Sequence, residues 1–288
     1  AVTAESLASG NLDVRMNARG DDELARLAIA FNEMANSLQQ QINRLENLSQ
    51  VQQRFVGDVT HELRTPLTTL RMAASMIDSA RDTFDPTIQR SVELMMIQLD
   101  RFERLLEDLL EISRFDAEVA VVDAVEFDIT EKVAKVISDL KLVAKDADVH
   151  IEFDRPGDCV YVNADIRRIE RALRNLITNA IDHAEGKPIH VTLRADENAA
   201  SIGVRDFGIG LDQESASRVF DRFWRADPSR SRLRGGTGLG LSLALEDAHL
   251  HHGDIEVFGK LGAGANFVLT IPKKVTNQVP QSLIPVKF

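Results

Sequence analysis

Cysteine is almost missing. Cys159 is the only one in 288 residues, so no disulfide can form within the chain, and the composition fits a reducing compartment. Long apolar runs are missing too. A membrane-crossing helix needs about 20 predominantly apolar residues, and the longest candidate, around Ala117 to Phe127, is broken by Asp123 and Glu126. There is no basic excess: 34 Lys and Arg stand against 45 Asp and Glu, a net charge of -11. That argues against nucleic acid as the main partner, because a phosphate backbone demands a basic face. Nor does a Met or a charged-then-apolar leader precede Ala1, so a soluble piece of a longer protein is expected.

What is present is ordinary for a globular chain, with 44% hydrophobic and 27% charged residues and a length that suits about two domains. The first of these reads as helical. Ala1 to Ser9 resembles the end of a helix stopped by Gly10-Asn11, and Leu12 to Met16 a short extended connector. Gly20-Asp21-Asp22-Glu23 then starts a helix with acids in its first turn. Leu24, Leu27, Phe31, Met34 and Leu38 keep 3-4 spacing, and Ile42, Leu45 and Leu48 continue after two steps of four, which predicts a coiled-coil seam with a phase shift.

Phe55, Val59 and Leu63 form an apolar stripe on the helix that follows, and His61 falls on its opposite side. The imidazole is therefore expected to face water, with Glu62 beside it and Thr65 and Thr68 on its face. A lone exposed His on an amphipathic helix is most often only a solvated residue. Zinc ligation is disfavoured, because no second His or Cys sits at ligand spacing. Pro66 is expected to kink the helix. Arg81 to Pro86 reads as a turn, after which Ile88, Val92, Met95, Leu99, Phe102, Leu106 and Leu109 give a heptad. Two amphipathic helices and a short turn predict a helical hairpin, and two hairpins a four-helix bundle in a dimer.

After Phe115 the period changes to alternation at Val149 to Phe153, Ile189 to Leu193, Ile202 to Val204 and Phe267 to Ile271, with helices at about 129–146 and 165–184. These are the marks of an α/β domain. Lys273 to Phe288, with two prolines and no period, is expected to be disordered.

Three features here could bind a nucleotide. Asn175, Asn179 and Asp182 lie on the polar side of one helix; the row is either its solvated face, or the two Asn, which are poor helix formers, offer carbonyl oxygens to a hard cation. Asp206 is in phase with inward-facing Ile202 and Val204 and is followed by Gly208 and Gly210. It is either a structural acid in a glycine turn or an acceptor for an adenine amino group. Gly236-Thr237-Gly238-Leu239-Gly240 opens a helix and can expose amides to phosphates. It is neither a P-loop nor a dinucleotide fingerprint. The polar loop from Asp227 to Arg234 could close over a nucleotide, with Arg225 offered to its phosphates.

Together these segments resemble the sensor histidine kinases of two-component systems over nearly the whole chain. His61-Glu62-Leu63-Arg64-Thr65-Pro66 is similar to the family's H box, Asn175 to His183 to the N box, and Asp206-x-Gly208-x-Gly210 to the G1 box. Phe220 to Phe223 is similar to the F box and Gly236 to Gly240 to the G2 box. The segment up to Leu48 resembles a HAMP signal relay, with Ala25 where a Gly is usual. The resemblance implies an α+β multidomain protein: a partial HAMP relay at 1–48, a dimerisation and histidine phosphotransfer hairpin at 49–116, an α/β sandwich ATP-binding domain of the GHKL type at 117–274 and a tail at 275–288.

The resemblance also implies roles. His61 would take the γ-phosphoryl group of ATP, with Glu62 as base. Asn179, helped by Asn175, would hold Mg²⁺, Asp206 would read adenine, and Arg225 would steady the γ-phosphate. His183, Gly208, Gly210, Thr237, Gly238, Leu239 and Gly240 would complete the nucleotide site. Thr65 matches the position that helps hydrolyse the partner's phospho-aspartate. A homodimer, a response regulator and an upstream membrane sensor segment are the implied partners, with this soluble piece on the cytoplasmic side of the cell membrane. Asp182 departs from the family, which often has Lys or Arg there. An acid cannot neutralise phosphate charge, so a cation or another Arg must compensate. The competing readings are an ATPase clamp of the same nucleotide fold, with His61 incidental, and a catalytically silent dimeric relay.

Overall fold

The computed structural model describes residues 15–16, 23–116, 122–225, 237–274 and 279–287. The expected helix end at Ala1 to Ser9, most of the connector, and the loop from Asp227 to Arg234 lie outside them. Helix α1 (Glu23–Ser79) is one element of 57 residues that carries Pro66 inside it and is about 85 Å long at 1.5 Å per residue. The seam and the His61 segment, read above as successive pieces, are thus one rod. Met16 runs beside it, its backbone N–H and C=O bonded to Oδ1 and Nδ2 of Asn32, both at 2.9 Å.

A 3-10 turn at Arg81–Thr83 leads to helix α2 (Pro86–Asp116). Asp85 starts that helix by accepting the Thr87 N–H at 2.8 Å, and Pro86 occupies the first position, where a missing N–H is harmless. The two helices close as a hairpin on Leu67, Ala74, Val92 and Leu106, all buried. Arg71 crosses between them to Asp100 and Glu103. Leu70, Met72, Met76, Ile88, Met95 and Phe102 remain exposed, an apolar surface that one hairpin cannot bury by itself.

The second part is built on a five-stranded sheet in the order β2-β4-β5-β7-β6. Its members are β2 (Ile151–Asp154), β4 (Ile189–Ala195), β5 (Ala199–Asp206), β6 (Asp254–Lys260) and β7 (Gly264–Pro272). Only β2 and β4 pair in parallel. A separate antiparallel pair joins β1 (Val125–Asp128) to β3 (Tyr161–Ala164). β1, β3 and β6 were not foreseen. The helix expected at 129–146 is two, α3 (Ile129–Asp139) and α4 (Lys141–Asp146), broken at Leu140.

Helix α5 (Ile166–His183) starts on Asp165, whose Oδ1 accepts the N–H groups of Arg167 and Arg168. Its buried stripe, Ile169, Leu173, Leu176, Ile177 and Ala180, packs on the inward row of the sheet. That row is Val191, Leu193, Ile202, Val204, Phe267, Leu269 and Ile271. Truncating one such Leu or Ile to Ala costs about 2–5 kcal/mol. Helix α6 (Gln213–Arg218) is short, and α7 (Gly240–Leu250) lies beside α5.

The expectation of a structureless tail is corrected for residues 279–287. The Leu283 N–H bonds to Ser201 Oγ at 3.0 Å, and the Asn266 amide bonds to the carbonyls of Pro285 and Val286. Proline fixes the chain direction and removes a donor, so a segment without period can still lie against a sheet face.

Candidate functional site

Alternation along β5 points Asp206 inward at the strand's end, where the carboxylate is 2% exposed. The Gly208 N–H bonds to its Oδ1 at 2.9 Å and the Ala265 N–H to its Oδ2 at 3.2 Å. Burial raises the Asp206 pKa above its ordinary value, against those two amides and the charge of Arg205. Each oxygen keeps a lone pair for a further donor. Arg205 braces the corner: it donates to the carbonyls of Asp206 and Ala263 at 2.8 and 2.6 Å and lies over the Phe207 ring, 4.7 Å from its centroid.

Two glycines make this corner possible. A Cβ on Gly208 would stand 1.8 Å from the His183 carbonyl oxygen, so only glycine lets the turn lie on the end of α5. Gly210 has φ +74° and a Cβ there would meet the Lys260 carbonyl at 2.0 Å. His183 itself is exposed, and its backbone carbonyl accepts the Ile209 N–H at 3.3 Å.

The glycine segment meets α5 from the other side. The Asn175 Nδ2 donates to the Gly240 carbonyl at 2.9 Å, and a Cβ on Gly240 would come within 3.2 Å of Asn175 Oδ1. Asn175 therefore fastens the start of α7, a role the sequence did not reveal. Asn179, one turn on, is half-buried. Gly238 has φ +76° and its carbonyl accepts the Phe223 N–H at 2.9 Å, which joins the segment to the residue before Trp224 and Arg225. The Thr237 hydroxyl accepts the Leu239 N–H at 3.2 Å and donates to Asp108 on α2 at 2.9 Å. Burial raises the Asp108 pKa despite that bond.

Among the described residues no three His, Cys, Asp or Glu side chains cluster as a metal site. A divalent cation here would depend on the amide oxygens of Asn175 and Asn179, with phosphate oxygens and water supplying the rest, which suits Mg²⁺.

Three further groups were missed by sequence reasoning. Asp247 on α7 is wholly buried and accepts from Arg171 Nε and Nη2 at 2.8 and 2.7 Å and from Arg168 Nη1 at 3.2 Å. Burial pushes its pKa up against the pull of both guanidiniums. Burial lowers that of Arg171, but its bonds to Asp247 outweigh this and the net shift is upward, which keeps the guanidinium charged. Glu111 on α2 reaches the same two arginines at 3.5 and 3.1 Å. Beside it Ile112 packs on Leu239 and Leu243, and Arg168 lies over Phe115. Finally, His251 Nε2 accepts the Asp165 N–H at 2.9 Å, so its Nδ1 is the donor to the Asp247 carbonyl at 2.6 Å.

The contact along Asp108 to Phe115 lies at a telling height. Arg71 pairs with Asp100 and Glu103 across the hairpin. Ten residues, about 15 Å, towards the N-terminus of α1 bring the antiparallel pair to His61 opposite Leu110 to Ser113. The glycine segment thus docks on the hairpin at the level of His61. The backbone of His61 is helical; its side chain lies outside the described residues. Glu62 and Thr65 are exposed, and Arg225 is half-buried.

Three family descriptions match parts of this chain. The family described as HAMP domain matches residues 1–40, His Kinase A (phospho-acceptor) domain 51–118, and Histidine kinase-, DNA gyrase B-, and HSP90-like ATPase 164–275. Sensor histidine kinase MtrB of Mycolicibacterium paratuberculosis is 50% identical over 284 residues, 99% of this chain and 50% of that protein. The chain thus spans about half the length of that relative. A crystal structure of full-length ShkA in complex with AMPPNP shares the fold at TM-score 0.65 and 24% identity, over 78% of this chain and 47% of that one. Histidine kinase ThkA in complex with response regulator protein TrrA does so at TM-score 0.55 and 23% identity, over 83% and 66%.

Proposed function

This chain belongs to the sensor histidine kinase family, and on that premise we propose that it moves the γ-phosphoryl group of ATP to His61 and then to an aspartate of a response regulator. The observation that carries the reading is the height match above: the glycine segment that would cradle phosphates docks on the hairpin level with His61.

Asp206 accepts the adenine amino group on a free lone pair. Amides at the start of α7 hold the phosphates, and Arg225 steadies the γ-phosphate. Asn179, with Asn175, would offer amide oxygens to Mg²⁺, which when bound neutralises phosphate charge. A ring nitrogen of His61 attacks the γ-phosphorus, the bond to the β,γ-bridging oxygen breaks with its electron pair, and ADP leaves. Glu62 takes the proton from the other ring nitrogen as the ring gains charge. Thr65 orients water for hydrolysis of the regulator's phospho-aspartate. In the same reading the exposed apolar face of the hairpin pairs with a second copy as a four-helix bundle, residues 1–48 relay a signal from a membrane sensor segment upstream, and the hairpin and ATP-binding domain occupy 49–116 and 117–274.

The test is transfer of label from γ-labelled ATP with Mg²⁺ to the parent, His61→Gln and Asn179→Ala chains. Acid-labile, alkali-stable label on the parent alone is expected. Phosphate release with no label retained on a folded parent would instead indicate an ATPase clamp and remove His61 from the mechanism.

A further inference from the structure

The outer face of the five-stranded sheet carries three cross-strand rows. Register places Arg194, Ser201, Thr270 and Asp254 in one, Thr192, Gly203, Val268 and Glu256 in the next, and His190, Arg205, Asn266 and Phe258 in the third. Of the middle positions, on β5 and β7, Gly203 has no side chain and its neighbour in the next row, Ser201, is small. Ser201, Thr270 and Asn266 are also buried, at 0%, 2% and 6% exposed, although they face away from the helices.

Residues 283–286 account for that burial. The Leu283 N–H bonds to Ser201 Oγ, itself hydrogen-bonded to Thr270 Oγ1 at 2.9 Å. Ile284 fills the space that a side chain at position 203 would occupy, with Cδ1 and Cγ2 each 3.4 Å from where a Gly203 Cβ would stand. The two N–H bonds of the Asn266 amide are both used, on the Pro285 and Val286 carbonyls at 3.2 and 3.1 Å. Pro285 has no N–H to leave unpaired. Buried polar groups are tolerated only when satisfied, and here the sheet and the segment satisfy each other.

We infer that this face is a peptide-docking groove whose occupant is the chain's own segment Leu283–Val286, seated as a detachable strap. The groove recognises an amide donor, a branched aliphatic side chain and two successive carbonyls, in that order. The strap also braces the adenine corner. Asn266, which it engages, pairs with Arg205 in register and follows Ala265, whose N–H bonds to Asp206.

The test is peptide capture by the full chain with residues 279–288 deleted, using a dye-labelled peptide of Val279 to Phe288 and fluorescence anisotropy. Covalent attachment to the same chain supplies an effective concentration on the order of 1 mM, so a strap that stays seated requires a free-peptide Kd of about 0.1 mM or tighter. Saturable binding in that range is expected for the deleted chain, with at least about tenfold weaker binding to the intact chain, whose groove is filled. Asn266→Ala and Gly203→Val in the deleted background should each weaken capture about tenfold or more, the first by removing two hydrogen bonds and the second by filling the Ile284 space.

Equal binding to intact and deleted chains, or none to a deleted chain whose Trp224 fluorescence shows it folded, would overturn the inference. If intact chains associate in a way that the deletion abolishes, the occupant is a second copy's tail and the assignment within one chain falls. Should the deletion prevent folding, Ile284→Asp in the full chain replaces it. Hydrogen exchange of the Leu283 amide should then rise at least about tenfold, and an unchanged rate refutes seating. None of these readouts needs ATP or His61, so their outcome is independent of the kinase reading.

Discussion

Asp247→Asn isolates the energetic centre of the ATP-binding domain. The replacement has the same size but no charge, and it turns one acceptor into an N–H₂ group facing guanidinium donors. Arg171 then loses its two-pronged partner while only 27% exposed, and Arg168 loses its own at 13%. Removing one member of a buried ion pair costs about 3–5 kcal/mol. Glu111 still faces both arginines and the Asn carbonyl still accepts one bond, so the low end, about 3 kcal/mol, applies. For a unit of this size, 1 kcal/mol moves Tm by about 2–4 °C, giving a drop of about 6–12 °C. Trp224 is the single tryptophan and packs on the sheet core, so thermal unfolding followed by its fluorescence reports this domain and not the hairpin. Asp139→Asn is the control, because its partner Arg174 and Asp139 itself are 40% and 41% exposed and such surface pairs contribute about 0–1 kcal/mol. Equal shifts for the two variants would refute the reasoning.

Gly208→Ala forces a Cβ against the His183 carbonyl. The expected result is nucleotide binding weakened at least about tenfold, by equilibrium titration, with the helical content of the hairpin kept; an unchanged affinity would show that the corner can move aside. Asp206→Asn places an N–H₂ group against the Gly208 or Ala265 N–H, and ATP affinity should fall at least about tenfold. The same variant tests pH linkage. Burial raises Asp206 in the folded state, so its contribution is fully present below the ordinary 3.8 and is lost as pH rises through the raised value. The stability difference, parent minus variant, should therefore decline with rising pH across that window in denaturant titrations, and a flat difference would contradict the burial argument. Glu111→Ala removes the α2 carboxylate from Arg168 and Arg171. Loss of such a charged bond is worth about 1.5–3 kcal/mol, so hydrogen exchange in 239–243 should quicken about tenfold or more. Unchanged protection would mean that Ile112 and Phe115 alone hold the dock.

Elements with a long period were legible in the sequence. The stripes of α1, α2 and α5 repeat over many turns, and Asp206 declares itself by falling in phase with Ile202 and Val204. Two of the short strands were not: β1 and β3 are four residues each, too few for alternation to show. The site's cross-connections were hidden for a different reason. Asn175 read as one of a polar row, yet its amide is spent on Gly240. Asp247 sits in phase with Leu243 and Ala244, which signals a buried acid, but its arginines lie 76 and 79 residues away. The tail's docking depends on the absence of a side chain at Gly203 and on Ser201 and Asn266 in two different strands, and nothing within residues 279–287 announces those partners.

The single rod from Glu23 to Ser79 has a mechanical consequence. With no loop between the connector-bonded end at Asn32 and the His61 turn, twist or tilt applied at one end has nowhere to relax and must arrive at the other. One weak point is built in. Pro66 brings no N–H, so the Glu62 carbonyl lacks the donor that every regular helical turn supplies. Compliance is therefore concentrated in the turn that starts beside His61, where a small bend changes the aim of that residue more than it changes the hairpin below.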